Sequence, residues 1–495
     1  MRKIIRLLLV GVLTLLIVIL AIVLSRAEKV RWHKKEVPRV EEVSVSLEKE
    51  MIANNLGRAL QFKTISYQEE MQNDWEEYKK FIRYLEETFP EVHATLKRDI
   101  VNEYSLLYTW EGKNPSLPPA LFLAHYDVVP IEEGTESQWK YPPFSGAVAE
   151  GYIWGRGAID VKCDVMALLE SVNYLLKENY QPTRTLLFAF GHDEEVGGRK
   201  GAKKVAELLK ERGIRPEFSL DEGMAVTEGL LPGINGPTAL IGIGEKGYLS
   251  LKLMVTTAGG HSAEPPKETS IGILSNAISK IERNPMPATL EGPLRWMLED
   301  LSPYMNFSMR VVCSNLWLLG GILKKALENI PSANAAIRTT FAPTLFHAGE
   351  KENVLPSNAW AVVNVRMLPG DNSEKVINYI KKVINDPRVE IQPFSPEKTD
   401  EASRLSDRNS EGYKAIVNSI HAIWGNIPVA SALTLGGTDS VNYMDVVKNT
   451  YRFQPMKFTR EDLDLIHSTN ERLSIDNYTT AIKFYIRLLK NTGSN

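Results

Sequence analysis

The chain has 495 residues, which is enough for a sizeable core and for two domains. Its formal net charge of −3 gives no general attraction to nucleic acid, so nucleic-acid binding through bulk charge is excluded. Two cysteines, Cys163 and Cys313, are too few for a disulfide framework and lack the spacing of zinc ligands.

The N-terminus carries an unbroken apolar stretch, residues 7–24, directly after a short basic segment. As a helix this stretch would span about 27 Å, close to one hydrocarbon thickness. A cleaved signal peptide has a shorter apolar region of about 7–15 residues, which favours an uncleaved membrane anchor with the body outside the cytoplasm. Residues 25–27 also form a small-x-small cleavage site, so a secreted body is the alternative. Residues 1–45 are therefore predicted to be an anchor or signal segment plus a charged stalk.

Short apolar runs alternate with helical patterns from residue 120 onwards. The runs 120–124, 185–190 and 218–220 lack polar alternation, as strands buried on both faces do. Apolar residues at helical spacing follow residues 162 and 202. This order predicts an α/β sheet, in which functional side chains gather at the carboxyl ends of the strands.

Each of these runs leads into an acidic or imidazole side chain. His125 ends the first run, Glu194 and Glu195 follow the second, and Asp221 ends the third. Imidazole nitrogen and carboxylate oxygen are ligands that zinc prefers, and catalytic zinc sites keep one position for water. The strand ends therefore predict part of a metal site.

Two further residues complete the predicted set. Asp160 lies in the glycine-rich turn G-R-G-A-I-D-V-K, and His467 lies near the C-terminus. Two zinc ions about 3.5–4 Å apart need a bridging ligand, and a carboxylate such as Asp160 can bridge where an imidazole cannot. Asp127, two residues after His125, can hold the tautomer of a metal-bound imidazole. One of the two adjacent glutamates can bind metal while the other handles the proton of a water molecule.

The pattern changes near residue 246, where elements of a second domain begin. The predicted elements are a strand 248–256, a helix 271–281, strands 335–344 and 359–368, a helix 374–384 and a strand 389–391. The order β-α-β-β-α-β is typical of a ferredoxin-like module. We therefore expect a catalytic zinc-binding domain made of residues 46–245 and 397–495, with residues 246–396 inserted as a lid or dimerisation domain.

Residues 242–247 match the dinucleotide-binding pattern G-x-G-x-x-G. Such a fingerprint must open a helix, whereas an alternating strand is predicted after this one. Cofactor binding at this pattern is therefore not expected. Residues 284–334 form an apolar insertion that fits an acyl-chain channel, a membrane contact or the core of a helical insertion.

Seven motifs occur in the order of one known family. They are H-Y-D-V-V-P, G-R-G-A-I-D-V-K, G-H-D-E-E-V-G-G, D-E-G, G-G-H-S-A-E-P-P, N-V-L-P and G-G-T-D-S. From about residue 50 to the C-terminus the chain resembles the dinuclear-zinc aminoacylase and carboxypeptidase family, peptidase family M20. Residues 260–274 and 334–340 are most similar to the branch of N-fatty-acyl-amino-acid synthase/hydrolase and carboxypeptidase S. The resemblance implies a zinc-peptidase-like α/β/α domain.

The resemblance also implies a role for each metal position. Asp160 would bridge two zinc ions in each subunit. His125 and Asp221 would complete the protein ligands of one ion, and Glu195 and His467 those of the other.

The predicted catalytic residues are Asp127, from its position two residues after His125, and Glu194 and His261, which the resemblance implies. Glu194 would be the general base and acid, and His261 would steady the oxyanion from its own subunit or from a dimer partner. The candidate substrate-binding residues are Arg366, Asn353, Gly436 and Gly437. Many relatives carry a second acid directly after the bridging aspartate, where Val161 stands here, which leaves the backbone geometry at this position less defined.

The implied activity is zinc-dependent hydrolysis of the amide bond in N-acyl amino acids or small peptides with a free carboxylate. Carboxypeptidase S-like or dipeptidase activity on short peptides is the alternative. A non-catalytic protein of the same fold would have lost a ligand or the base, and none is lost. The expected partners are a small-molecule substrate, the membrane through the N-terminal segment and a second copy through the lid, without nucleic acid.

Overall fold

The computed structural model describes residues 2–32, 34 and 45–494, so residues 35–44 of the predicted stalk lie outside the described residues. The N-terminal segment forms one helix, Arg2–Arg31, in which Val23 and Ala27 are buried. This helix is long and apolar enough to cross a membrane. A membrane anchor and a signal sequence share these properties, and so both interpretations remain.

A mixed sheet of ten strands, the main sheet, forms the centre of the described chain. In its parallel middle, Ala120–His125 lies between Leu186–Gly191 and Phe218–Asp221, and Asn449–Arg452 pairs with the last of these. The first two strands are buried throughout, as their unbroken apolar sequences predict. The other strands of the main sheet are Lys97–Val101, Ser105–Trp110, Pro237–Glu245, Val226–Glu228, Lys457–Phe458 and Val429–Thr434.

Helices cover both faces of the main sheet because consecutive strand residues point to opposite sides. Phe122 and Phe188 pack into one core cluster, and Leu121 and Leu187 pack into another. The helix Ala202–Glu211 covers the second cluster. The helices of the first face are Lys49–Ala59, Trp75–Thr88, Pro90–Thr95, Lys162–Lys177, Glu411–Trp424 and Ile475–Gly493. The predicted α/β architecture is confirmed.

A second sheet of four antiparallel strands, the small sheet, lies between the two halves of the main sheet in sequence. Its strands, in spatial order, are Thr340–Ala348, Asn358–Met367, Gly247–Thr256 and Val389–Pro393. The helices Ser270–Arg283 and Ser373–Ile384 share a core cluster with this sheet. Chain order and pairing are those of a ferredoxin-like module. The exact domain boundaries stay a prediction.

One predicted strand of the module begins too early. Residues 335–337 belong to the helix Pro331–Ile337, and the strand starts at Thr340. Pro331 explains the difference, because proline at the first helical position is preorganised for a helix. The strand predicted after residues 242–247 is confirmed, since Pro237–Glu245 leads directly into Gly247–Thr256.

The apolar insertion folds into helices. They are Pro293–Leu301, Phe307–Ser314 and Leu316–Leu327, followed by the helix Pro331–Ile337. Leu298, Leu301 and Cys313 pack with Ala430 and Ala432 of the main sheet, so the inner side of the insertion is ordinary core. Two small ladders complete the fold: Ala147–Ala149 with Tyr152–Trp154 and Arg472–Ser474, and Gly260–His261 with Val354–Leu355.

Candidate active site

The carboxyl ends of the parallel strands bring acidic and imidazole side chains together. His125 is the last residue of its strand, and Glu194–Val196 is a short turn of helix just after the next one. Asp160 precedes the helix Lys162–Lys177. His467 joins them from the far end of the chain.

The imidazole of His125 faces several carboxylates at once. Its Nε2 lies 3.2 Å from Asp160 Oδ1, 3.2 Å from Glu222 Oε1 and 3.8 Å from Glu194 Oε2. Its Nδ1 lies 3.0 Å from the backbone oxygen of Asp127 and 3.3 Å from Asp127 Oδ1. A single ring nitrogen cannot donate to three carboxylates, but it can share one metal ion with them.

His467 faces the other side of the same aspartate. Its Nε2 lies 2.8 Å from Asp160 Oδ2 and 3.4 Å from Glu195 Oε2. The two oxygens of Asp160 therefore face different imidazoles, which is the arrangement a bridging carboxylate needs. The backbone of His467 has a φ of 60°, a left-handed conformation that is uncommon outside glycine and marks functional sites in other proteins.

Asp221, predicted as a metal ligand, does not face the imidazoles. Its Oδ2 accepts hydrogen bonds of 2.8 Å from both the backbone nitrogen and Oγ of Ser440, and its Oδ1 accepts one of 3.0 Å from the Glu222 nitrogen. Glu222 takes the place beside His125 instead, because neighbouring residues at a strand end point in opposite directions. The motif D-E-G offers two adjacent acids, and sequence alone does not choose between them.

Asp127 supports the site through hydrogen bonds to its neighbours. Its Oδ1 and Oδ2 accept backbone hydrogen bonds of 3.1 and 3.2 Å from Glu194 and Glu195. Burial acts to raise the pKa of Asp127, but hydrogen bonds led by that of His125 hold it below its usual value. This charged carboxylate thus fixes the orientation of both the imidazole and the glutamate turn.

The three glutamates of the cluster have raised pKa values. Burial raises the pKa of Glu194, Glu195 and Glu222, and repulsion from neighbouring carboxylates raises it further. Glu195 Oε1 is buried and has no hydrogen-bond partner among the described residues. Two groups have ligand atoms within 4.8 Å of one another: His125 with Glu194 and Glu222, and His125 with Asp160 and Glu195. These donor sets fit divalent cations, which would neutralise the buried charge.

A buried ion pair, Arg156 with Glu471, connects the Asp160 turn to His467. The side chains meet at 2.5 Å, and Glu471 Oε1 accepts backbone hydrogen bonds of 3.1 and 2.9 Å from Gly157 and Ile159. Arg156 also donates to the backbone oxygen of His467 at 3.1 Å. In the sequence, Arg156 stands out within the motif G-R-G, but its partner Glu471 lies more than 300 residues away.

A second buried pair, Arg452 with Glu245, supports the glycine loop. Their side chains are 3.0 Å apart, and Thr438 Oγ1 donates to Glu245 at 3.0 Å. Thr438 Oγ1 lies 2.6 Å from Ser440 Oγ, which in turn holds Asp221. Gly436 and Gly437 begin this loop and line a cavity of about 380 Å³ together with the acidic cluster.

A larger cleft of about 610 Å³ leads from the acidic cluster to the small sheet. Arg366 also lines this cleft, with its guanidinium 4.7 Å from the ring centre of Tyr248. Arg366 forms no ion pair with a carboxylate among the described residues, whereas its neighbour Arg199 pairs with Asp400 at 2.6 Å. Apolar side chains of the small-sheet module also line the cleft: Leu345, Val362 and Phe394.

Two predicted site residues of the small-sheet module lie away from this cleft. His261 and Asn353 are exposed and belong to neighbouring segments, since the Ser262 nitrogen donates to the Asn353 oxygen at 3.4 Å. Neither residue lines the two cavities beside the acidic cluster. Within the described chain, the fold brings Arg366, Gly436 and Gly437 to the site and leaves His261 and Asn353 outside.

Residues 121–491 match the family model of Peptidase family M20/M25/M40. The chain belongs to the M20 peptidase family. It is therefore a hydrolase of the metallopeptidase class, and the family is metal-dependent.

Two relatives match almost the whole chain. The N-fatty-acyl-amino acid synthase/hydrolase of Xenopus tropicalis is 37% identical over 486 residues, which cover 97% of this chain and 94% of the relative. The probable carboxypeptidase S-like 2 of Dictyostelium discoideum is 39% identical over 502 residues, which cover 99% of this chain and 94% of the relative.

Solved structures share the fold at lower identity. An M20 family metallo-carboxypeptidase from Sulfolobus solfataricus has a TM-score of 0.64 and 20% identity, covering 90% of this chain and all of its own. Human carnosine dipeptidase 1 has a TM-score of 0.63 and 15% identity, covering 94% of this chain and 98% of its own. These likenesses confirm the predicted fold class.

Proposed function

We propose that this protein hydrolyses the amide bond of N-acyl amino acids that carry a free carboxylate. One observation carries this proposal: a single cleft joins the acidic cluster to Arg366, which has no carboxylate partner among the described residues. The guanidinium of Arg366 suits the substrate carboxylate, because paired N–H donors match its geometry. The apolar wall of the cleft suits a hydrocarbon portion of the substrate.

The relatives support this substrate class and also name a second candidate. One relative is an N-fatty-acyl-amino acid synthase/hydrolase, and another is a probable carboxypeptidase S-like protein. Short peptides also have an amide bond and a free carboxylate, and so carboxypeptidase activity uses the same groups. The cleft volume of about 610 Å³ accommodates either class.

We further propose that the site holds two zinc ions. Asp160 would bridge them, with His125 and Glu222 on one ion and Glu195 and His467 on the other. The separate imidazoles at the two oxygens of Asp160 support this assignment. When bound, such ions lower the pKa of a shared water to about 7 and polarise the amide carbonyl. A structural neighbour of 16% identity, from Bacillus subtilis, is itself described as a dinuclear metal binding peptidase.

The protein's own residues then carry the proton and the substrate. A carboxylate oxygen of Glu194 accepts a proton from the attacking water. Glu194 then passes this proton to the leaving nitrogen. Asp127 keeps Glu194 and His125 in place through the hydrogen bonds described above. Gly437 lines both cavities, so its backbone N–H would be available to the substrate, while Arg366 would bind the carboxylate.

His261 is proposed to reach the oxyanion from a second copy of the chain, with the small-sheet module as the dimerisation domain. Its exposed position, outside the cleft of its own chain, supports action across a dimer. We also propose that the helix Arg2–Arg31 anchors the body outside the cytoplasm, and that cleavage after it would instead release the body.

A substrate panel tests this function. Purified protein, before and after chelation and zinc reloading, is assayed on long-chain and acetyl N-acyl amino acids and on dipeptides. Faster cleavage of long-chain N-acyl amino acids is expected, and preference for dipeptides would favour the carboxypeptidase alternative. Activity that survives complete chelation would contradict the metal site.

The ligand assignment is tested by metal content. Glu222→Ala is expected to hold one zinc ion fewer per chain than wild type, whereas Asp221→Asn keeps a side-chain oxygen for Ser440 and is expected to keep both. If Asp221→Asn holds one zinc ion fewer and Glu222→Ala keeps both, Asp221 is the ligand.

A further inference from the structure

The outer side of the apolar insertion exposes large apolar side chains. Trp317, Leu318 and Ile322 are 56%, 45% and 70% exposed on the helix Leu316–Leu327, and Phe307, at the start of the preceding helix, is 56% exposed. We call these four residues the insertion patch. Contiguous exposed apolar groups of this kind mark interaction sites on soluble proteins.

Three residues of the patch, Trp317, Leu318 and Ile322, form a stripe along the helix Leu316–Leu327. Trp317 and Leu318 are followed one turn later by Gly321 and Ile322, and all four are exposed. Gly320 and Leu323 lie on the other side, where Leu323 packs against the core of the insertion. A surface helix of a water-soluble protein turns its polar side outwards, whereas this helix has apolar residues on both sides.

The insertion also contacts the N-terminal helix. The helix Phe307–Ser314 packs against Arg2–Arg31, in which Val23 and Ala27 are buried. Asn315 Nδ2 donates to the backbone oxygen of Val23 at 3.1 Å, and the Asn315 side chain is fully buried. Its Oδ1 accepts a hydrogen bond of 3.3 Å from Trp317 Nε1. Asn315 therefore connects the carbonyl of Val23 to Trp317, a residue of the insertion patch.

The position of Val23 along its helix indicates the depth of the insertion patch relative to the bilayer. Val23 stands one residue before the end of the apolar stretch 7–24, and a helix rises about 1.5 Å per residue. If the stretch fills the hydrocarbon, Val23 lies at its edge. Tryptophan is enriched at that level of membrane proteins. Arg26, Lys29 and Arg31 follow at the level of the lipid headgroups.

We propose that the insertion patch lies in the interface of the same bilayer that the helix Arg2–Arg31 crosses, with Trp317, Leu318 and Ile322 against the acyl chains. This inference rests on the proposed membrane anchor. The body would then be held to the membrane at two places, the span and the patch, so that its orientation is fixed.

A second copy of the chain is another occupant for an apolar face. The bilayer is favoured because the patch continues directly from a contact that the span makes with the body, namely the contact with residues 302–315. The cationic side chain of Lys34, which lies 5.1 Å from the ring centre of Tyr304, adds positive charge at the same junction.

Fluorophore quenching by lipid tests the proposal. Full-length protein is reconstituted into phospholipid nanodiscs. A thiol-reactive fluorophore is attached at one added cysteine: Ile322→Cys, Leu16→Cys in the span, or Met71→Cys, an exposed control remote in sequence. Cys163 and Cys313 are buried, so unmodified protein measures background labelling. Phosphatidylcholine with a doxyl group near its headgroup, for Ile322→Cys, or in the middle of its acyl chain, for Leu16→Cys, then replaces the plain lipid; Met71→Cys is measured with both. Hydrolytic activity shows that each variant is folded.

We expect loss of fluorescence at Ile322→Cys and Leu16→Cys and none at Met71→Cys. Quenching at Leu16→Cys with none at Ile322→Cys overturns the patch while keeping the anchor. If Ile322→Cys is not quenched by doxyl lipid but is shielded from iodide in solution, a second copy covers the patch and the bilayer proposal is wrong. If neither position is quenched, both the anchor and the patch fail, and hydrolysis by the same samples judges the proposed function independently.

Discussion

The edge of the main sheet and the small-sheet module contribute to the candidate site in different ways. At the main sheet, His125, Asp160 and Glu222 meet within 3.2 Å, although they come from separate segments. Of the module's candidates, Arg366 lines the cleft, whereas His261 lies outside it.

The difference follows from how each region is constrained. Buried parallel strands and buried ion pairs such as Arg156 with Glu471 hold the acidic cluster from several directions. The His261 segment is an exposed two-residue ladder with Val354–Leu355. We therefore expect the proposed chemistry to depend on one well-constrained region, and the proposed substrate contacts to depend on where the module, or a second copy of it, is placed. Four substitutions test this comparison.

Glu194→Gln should have the largest effect. Loss of a general acid and base lowers kcat by about 10²–10⁴-fold, while the zinc content should remain that of wild type because Glu194 is not a proposed ligand. Steady-state kinetics and metal analysis measure both quantities. Glu150→Gln, an exposed residue paired with Lys140, is the matched control and should leave kcat unchanged. Turnover close to wild type in Glu194→Gln would remove this residue from the mechanism.

His261→Ala should follow, with a loss of about 10²–10³-fold in kcat if it stabilises the oxyanion. Because the partner's His261 is proposed to act, mixing His261→Ala with Glu194→Gln protein should restore activity in heterodimers that contain one intact site. Mixing Glu194→Gln with the double variant is the control without an intact site. Failure of the first mixture to recover, in confirmed heterodimers, would mean that His261 does not act across a dimer.

Arg366→Met should raise KM with a smaller change in kcat. A hydrogen bond to a charged group contributes about 1.5–3 kcal/mol, which corresponds to about 10–100-fold in KM. Arg199→Met is the matched control, because Arg199 lines the same cleft but already pairs with Asp400. Substrates whose carboxylate is amidated should lose this dependence on Arg366; equal sensitivity of amidated and free substrates would argue against the carboxylate contact.

Asn353→Ala should have the smallest effect, equivalent to about 0.5–1.5 kcal/mol for one neutral hydrogen bond. Asn353 lies beside the His261 segment, so its effect should also be relieved by mixing with Glu194→Gln protein. The neighbouring Glu352→Gln should leave kcat/KM unchanged. A change in Asn353→Ala as large as that in His261→Ala would indicate that Asn353 has a direct role in the reaction.

The residues at the strand ends were predictable because a strand buried on both faces has an unbroken apolar sequence. The unbroken apolar run before His125 marks a doubly buried strand, and the parallel arrangement brings its end beside Glu194. The choice of Glu222 over Asp221 was not predictable, since it depends on which side of the strand end faces Ser440. The helix at residues 335–337 was missed because its apolar, small residues fit either structure, and Pro331 decided it.

The sequence by itself determined the family, the fold class and the residue types of the acidic cluster, because these follow from local burial patterns and from motifs of adjacent residues. Only the tertiary structure decided which acid faces His125, that Glu471 and Glu245 support the site, and that His261 lies outside its own cleft. It also placed the insertion patch beside Val23. These facts depend on contacts between segments far apart in the chain, whose relative placement is set by the packing of the whole core.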